Sequence, residues 1–127
     1  MKKIEELKNG VILYKNHRAD PYFGFVKAGI KTIEGRVAKN LYKELKLGDE
    51  ILIFNDDETE NVRVRVKDTR IYSSFGEMLE KENFKKILPN VDSVEQGLCV
   101  YRKFYTEGQE KEFGVIAIEV ERKKHPK

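Results

Sequence analysis

The chain has 127 residues, the usual size of one domain, and no break in composition marks a second. Charged residues make up 37% and apolar residues 39%, and the surplus of charge is largely Lys and Glu, as in the surface ion-pair networks of heat-adapted proteins. A net charge of +3 is too small to announce a nucleic-acid binder by itself. The lone Cys99 excludes an internal disulfide, and no apolar run approaches the roughly 20 residues of a membrane span, nor is there a signal peptide. A soluble, cytoplasmic protein is expected.

The first recognisable element is Val11–Tyr14, a short apolar strand after Asn9-Gly10. A helix of about two turns follows: Asp20 as its cap, Pro21 in its first position and Gly29 closing it in the left-handed conformation. After Gly29 the period changes to two. Ile33, Gly35 and Val37 then point one way, and Thr32, Glu34 and Arg36 the other. Leu45 to Glu50 reads as a turn into the apolar strand Ile51–Phe54, and Asn55 to Glu58 as a polar loop. Val62 to Lys67 alternates cleanly, with three valines inward and Arg63, Arg65 and Lys67 outward, and a one-residue slip would bury three charges.

Ser74-Phe75-Gly76-Glu77 has the pattern of a capping box and opens a helix. Asn83 to Asn90 reads as irregular, broken at Pro89. Asp92-Ser93 starts another helix whose buried stripe is Val94, Leu98, Tyr101 and Tyr105, with Cys99 expected inside the same apolar pattern. Gly108 is expected to end this helical region, and Gly114 to Val120 to form the last strand. Phe75 and Phe104 are assigned to the core. The tail Arg122 to Lys127 is basic and expected to fray, with a phosphate contact as its alternative use. Strands outnumber helices and do not alternate strictly with them, which argues for an α+β barrel with short helices packed at its openings.

The run Gly29-x-Lys31-Thr32-Ile33-Glu34-x-Arg36 concentrates chemistry. Arg36 offers a planar donor fork suited to phosphate or a base edge, Lys31 a compact charge, and Glu34 a carboxylate that fixes a cation or accepts from an amino group. On spacing alone, an exposed strand face crossed by ion pairs explains these residues as well. Tyr22, Tyr42 and Tyr72 are candidates to stack on a base, with packing as the alternative for the latter two. Arg63, Arg65 and Lys67 form either a phosphate track or a solvated outer face. His17 and His125 are far apart without cysteine partners, so no metal site is expected, and no glycine-rich nucleotide loop calls for a cofactor.

The run Tyr22-Phe23 to Gly29-Ile30-Lys31-Thr32-Ile33-Glu34-Gly35-Arg36 closely resembles the signature of the ASCH domain family. So do Leu47-Gly48-Asp49-Glu50-Ile51, Tyr72-Ser73-Ser74-Phe75, and Phe104-Tyr105 followed by Gly114-Val115-Ile116-Ala117-Ile118, in family order. The resemblance spans about residues 22–121 of a single domain covering 1–127, with 1–20 as an N-terminal extension. It implies a small PUA-like β-barrel whose cleft is lined by Lys31, Glu34 and Arg36. RNA or a nucleotide-like molecule is then the expected ligand, with Thr32, Tyr22, Tyr72, Arg63 and Arg65 as further binding candidates. A coactivator-like protein-interaction module is an alternative. One branch of the family hydrolyses N4-acetylcytidine with a lysine, a threonine nucleophile three residues later and a distant glutamate. Lys31 matches that lysine, but Glu34 stands at the nucleophile position, which leaves Lys31 and Glu34 as the catalytic candidates. Glu80, Glu82, Asp92 and Glu95 all lie where the distant carboxylate would fall.

Overall fold

Alternating valines set the spine of the molecule. In the computed structural model, which describes residues 1–123, Val62, Val64 and Val66 are buried as their spacing requires. Burying each stabilises the fold by about 1.5–3 kcal/mol. They belong to a strand twice as long as expected. In chain order the elements are β1 Lys2–Glu6, β2 Ile12–His17, α1 Tyr22–Lys27, β3 Ile33–Val37, α2 Leu41–Glu44, β4 Glu50–Phe54, β5 Asn61–Tyr72, α3 Phe75–Lys81, α4 Phe84–Ile87, α5 Val94–Arg102, α6 Glu107–Phe113 and β6 Val115–Arg122.

The α+β class is as expected, but the barrel does not close. The strands form one open six-stranded sheet in the order β1-β2-β4-β5-β6-β3, with β2 parallel to β4 and every other pair antiparallel. Closure would require β3 to pair with β2. The free edge of β2 is instead taken by β1, an unforeseen strand that is exposed throughout and rich in Lys and Glu, a composition that guards a sheet edge. β3 therefore stays an edge, and the space beside it is open to side chains.

Each face of the sheet carries its own core. Tyr14, Ile51, Ile53, Ile116 and Ile118 join the β5 valines on one face, capped by Phe23 and Val26 of α1. On the other face Ile33, Val37, Val115 and Ala117 meet Phe75, Met78, Leu79, Ile87 and Tyr101 from α3, α4 and α5. β3 divides accordingly: Ile33, Gly35 and Val37 turn to the helices, and Glu34 and Arg36 turn away.

Several local expectations require correction. Asp20 makes no side-chain cap, and Pro21 is itself the cap residue of α1. Ser74 does accept from the Glu77 N–H at 3.0 Å, but Glu77 reaches back to Ser73, so the reciprocal box is incomplete there. The full box forms at Thr106 and Gln109, starting α6, and Gly108 lies inside that helix rather than ending a helical region. Asn83 to Asn90 contains the single turn α4, with Asn83 accepting from Lys85 N–H. Cys99 is exposed, on the side of α5 away from the buried Gly97 and Tyr101. Of the basic tail, Arg122 ends β6 and its guanidinium donates to the Lys27 carbonyl, while Lys123 pairs with Glu50 at 3.2 Å, so neither frays. Lys124 to Lys127 lie outside the described residues.

Candidate functional site

The close of α1 delivers Lys31. Gly29 takes the left-handed conformation (φ 78°), its N–H returns to the Val26 carbonyl, and the Ile30 N–H returns to the Phe25 carbonyl at 3.0 Å. This Schellman closure turns the chain sharply from helix into strand. Lys31 then points inward, 4% exposed, and its Nζ donates to the carbonyl oxygens of Ile33, at 3.1 Å, and Ile87. It is a buried tie between β3 and α4.

Three residues further on, Glu34 sits at the centre of three cations. Its Oε2 lies 2.7 Å from Arg18 Nη2 and 3.8 Å from Lys31 Nζ, and its Oε1 lies 3.7 Å from Arg36 Nε. Arg18 follows the last residue of β2 and is held there by its N–H to the Phe54 carbonyl. Arg36 donates from Nη1 to the Tyr105 hydroxyl at 3.4 Å and lies 5.3 Å from the Tyr42 ring. Burial lowers the pKa of the Lys31 ammonium, with Glu34 opposing. Burial raises the Glu34 carboxyl, with Lys31 and the Gly35 N–H opposing. The Tyr101 phenol is raised by burial and by the nearby Glu34.

These groups line a cavity of about 290 Å³ between the β3 edge and the end of α5. Its charged lining is Arg18, Lys31, Glu34 and Arg36, and its apolar and aromatic lining is Tyr22, Leu88, Val100, Tyr101, Phe104 and Tyr105. Phe75 fixes the aromatic wall by stacking on Tyr101 at 4.2 Å and on Tyr105 at 5.3 Å between ring centroids. Beneath it a second space of about 20 Å³ touches Asn16, Arg18, Lys31 and Glu34, room for one water molecule. Among the described residues, the buried side-chain polar atoms without a hydrogen-bond partner are Asn16 Oδ1, Arg18 Nε and Arg36 Nε, all at this place.

The residues singled out in the sequence therefore separate. Lys31, Glu34, Arg36 and Tyr22 line one cavity. Thr32 lines a different groove with Lys67, Lys86 and Arg122. Tyr72 lies at the end of β5, where its hydroxyl donates to Glu82, and it does not line the cavity. Arg63 and Arg65 are engaged by Glu50 and Glu121, and Lys67 lies 3.8 Å from Glu119. The outer strand face is thus a set of ion pairs. Phe104, assigned to the core, is 68% exposed at the cavity mouth. Arg18 fell in a stretch that matched no motif. Tyr101 and Tyr105 were visible only as a helix stripe.

The fold is thus an α+β domain with an open sheet, in which a cationic cluster and aromatic side chains line one cavity beside the β3 edge. The chain belongs to the ASCH domain family, whose model matches residues 18–124. It is similar to the crystal structure of hypothetical protein PH0355, with 43% identity and a TM-score of 0.77 over 87% of this chain and 98% of that one. It is also similar to the solution NMR structure of protein PF0455 from Pyrococcus furiosus, with 38% identity and a TM-score of 0.72 over 89% and 99% of the two chains. The comparison with curated proteins found no match. No helix among the described residues is long and apolar enough to cross a membrane.

Proposed function

We propose that this ASCH domain binds RNA or a nucleotide-like molecule in the cavity beside β3, as a cytoplasmic protein. The observation that carries this reading is the meeting of Arg36, Glu34 and Lys31 with the Tyr22, Tyr101 and Tyr105 rings around one space of about 290 Å³. That volume, close to the lower end for small-ligand sites, suits a single base with its sugar. The rings supply a face for a planar base. Arg36, whose protein contacts are long, supplies hydrogen-bond donors to the ligand.

Hydrolysis of an acylated base is less well supported. Lys31 Nζ is committed to two carbonyls and Glu34 to Arg18. Glu80, Glu82, Asp92 and Glu95 are all absent from the cavity lining, and Glu82 is bound to Arg70 and Tyr72. A catalytic group must stand within hydrogen-bond reach of the proton it moves, and those positions do not supply the distant carboxylate that the resemblance implies.

The test is a melting-temperature panel of ribonucleosides, ribonucleotides and short RNAs, since a ligand that binds the native state raises the midpoint. Arg36→Ala should weaken binding at least about tenfold, the scale of a lost charged hydrogen bond, while the unliganded protein stays folded. If Arg36→Ala unfolds the protein, Arg36 is a structural partner and the site assignment fails.

A further inference from the structure

We propose that Arg18, outside the Gly29 to Arg36 run, is a ligand-binding residue that forms with Arg36 a two-guanidinium clamp for the phosphate of a nucleotide. The inference rests on the reading of the cavity as a nucleotide site and adds which part of the nucleotide is held, and by what.

Three observations converge on it. The first is charge. Arg18, Lys31 and Arg36 face a single carboxylate, Glu34, in the cavity lining. A proton passed between Lys31 and Glu34 leaves the sum unchanged, with two guanidiniums uncompensated. Even an unprotonated Lys31 beside an ionised Glu34 leaves one cation in excess. Charge held away from water in this way is costly until an anion joins it.

The second observation is unused bonding capacity. A guanidinium has five N–H donors in a rigid fork. Arg18 meets one acceptor among the described residues, Glu34 Oε2 at 2.7 Å. Arg36 meets the Tyr105 hydroxyl at 3.4 Å and Glu34 Oε1 at 3.7 Å. The Nε of each is buried without a partner. Arg70 of the same protein is the contrast, with Nε, Nη1 and Nη2 all bonded to Asp68, Glu82 and Glu119. Arg70 is a completed structural arginine, and Arg18 and Arg36 are not.

The third is placement. Arg18 Nη2 stands at Glu34 Oε2 and Arg36 Nε nearest Glu34 Oε1, so the two guanidiniums flank one carboxylate in the lining of one cavity. A phosphate bound beside them would offer several acceptor oxygens in the geometry that arginine forks match. Tyr22, Tyr101 and Tyr105 line the same cavity.

The phosphate can belong to a free mononucleotide or to a phosphodiester within RNA, and the experiment separates the two. Affinities are measured by titration calorimetry at constant ionic strength for the four ribonucleosides, their 5′- and 3′-monophosphates, the dinucleotide UpU and inorganic phosphate. The native protein should bind the best monophosphate about tenfold to a hundredfold tighter than its nucleoside, the scale of one or two charge-assisted hydrogen bonds. Inorganic phosphate should compete. UpU binding as tightly as the monophosphate assigns the clamp to RNA, and monophosphate alone assigns it to free nucleotide. Arg18→Gln should erase the preference for the phosphorylated form, bringing monophosphate and nucleoside to equal affinity. Arg18→Lys, which keeps the charge beside Glu34, should fold and retain only part of the preference, because the fork is lost.

Equal binding of nucleosides and monophosphates would overturn the clamp while leaving the cavity a base-binding site. Equal weakening of both by Arg18→Lys would overturn it as well, making Arg18 a support for Glu34. Binding of phosphate without any nucleoside, nucleotide or dinucleotide would uphold the anion clamp and refute the nucleotide reading. Binding of none of the probes would refute both.

Discussion

Replacing Gly35 by alanine isolates the packing that shapes the cavity wall. A Cβ built at Gly35 would stand 2.6 Å from Met78 Cε, 2.6 Å from the Tyr101 hydroxyl oxygen and 2.9 Å from Met78 Sδ. Met78 is flexible and can withdraw its methyl group, but it is fully buried and has few places to put it. Tyr101 has less freedom, because its ring is stacked on Phe75 at 4.2 Å with planes 12° apart. The backbone of Gly35 needs no positive φ, so the strain is steric alone. Overpacking of this kind costs about 1–3 kcal/mol, a fall in the thermal midpoint of about 4–12 °C for a chain of this size. Thermal and urea unfolding by circular dichroism measure it. Gly108→Ala serves as the control: its Cβ would meet only Thr106 Oγ1 at 3.6 Å on exposed helix, and it should raise stability by about 0.4–1 kcal/mol. A Gly35→Ala protein within about 1 °C of the native midpoint would refute the claim that β3 and α5 are in tight contact at this point.

Three other outcomes are expected. Glu110, buried, accepts from the Phe75 N–H and from Arg102 Nη2, both at 2.9 Å. Glu110→Ala should therefore cost about 2 kcal/mol by orphaning a buried donor, seen as a lower urea midpoint with an unchanged slope. Hydrogen bonds from Arg70, and then from Tyr72, hold the Glu82 carboxyl below its usual 4.5 despite burial. A lowered native pKa adds stability that is complete above the unfolded value and lost as pH falls through the native one. Acid unfolding should accordingly be steeper below about pH 4.5 in the native protein than in Glu82→Gln, as melting temperature against pH would record. Because Arg63 and Arg65 are paired with Glu50 and Glu121, replacing both by glutamine should change the salt slope of RNA binding by less than one ion. A clearly flatter slope would place RNA on the outer strand face.

The parts of the fold legible in the sequence are those decided locally. Val62, Val64 and Val66 set the β5 register because a slip buries charge, and Ser74 and Ser93 mark helix starts because each satisfies an orphan N–H three residues on. β1 was hidden because an edge strand guarded by charge has no apolar alternation to read. Cys99 was misplaced because an apolar helix segment does not reveal which apolar residue faces out. The ASCH run placed Glu34 and Arg36 together, since a strand puts alternate residues on one face, and Lys31 joins them from the turn that precedes the strand. The rest of the cavity is assembled across the chain: Arg36 meets Tyr105 from 69 residues away, and no local pattern encodes that approach. Thr32 parted from Glu34 because it precedes the regular strand, with its backbone tied to Lys86 and Val120. The barrel was expected from the balance of strands over helices and from the ASCH resemblance, and neither says which edge a charged N-terminal strand will occupy.

The most direct test of the central claim is where a ligand lands. Amide chemical shifts of the isotope-labelled protein can be followed during titration with a short RNA and with mononucleotides. Binding in the cavity predicts perturbations concentrated at Arg18, Lys31, Glu34 to Arg36 and Tyr101 to Tyr105, with β1 and the Asn55 to Glu60 loop unmoved. Perturbations confined to the outer strand face at Arg63, Arg65 and Lys67, or none at millimolar ligand, would contradict it.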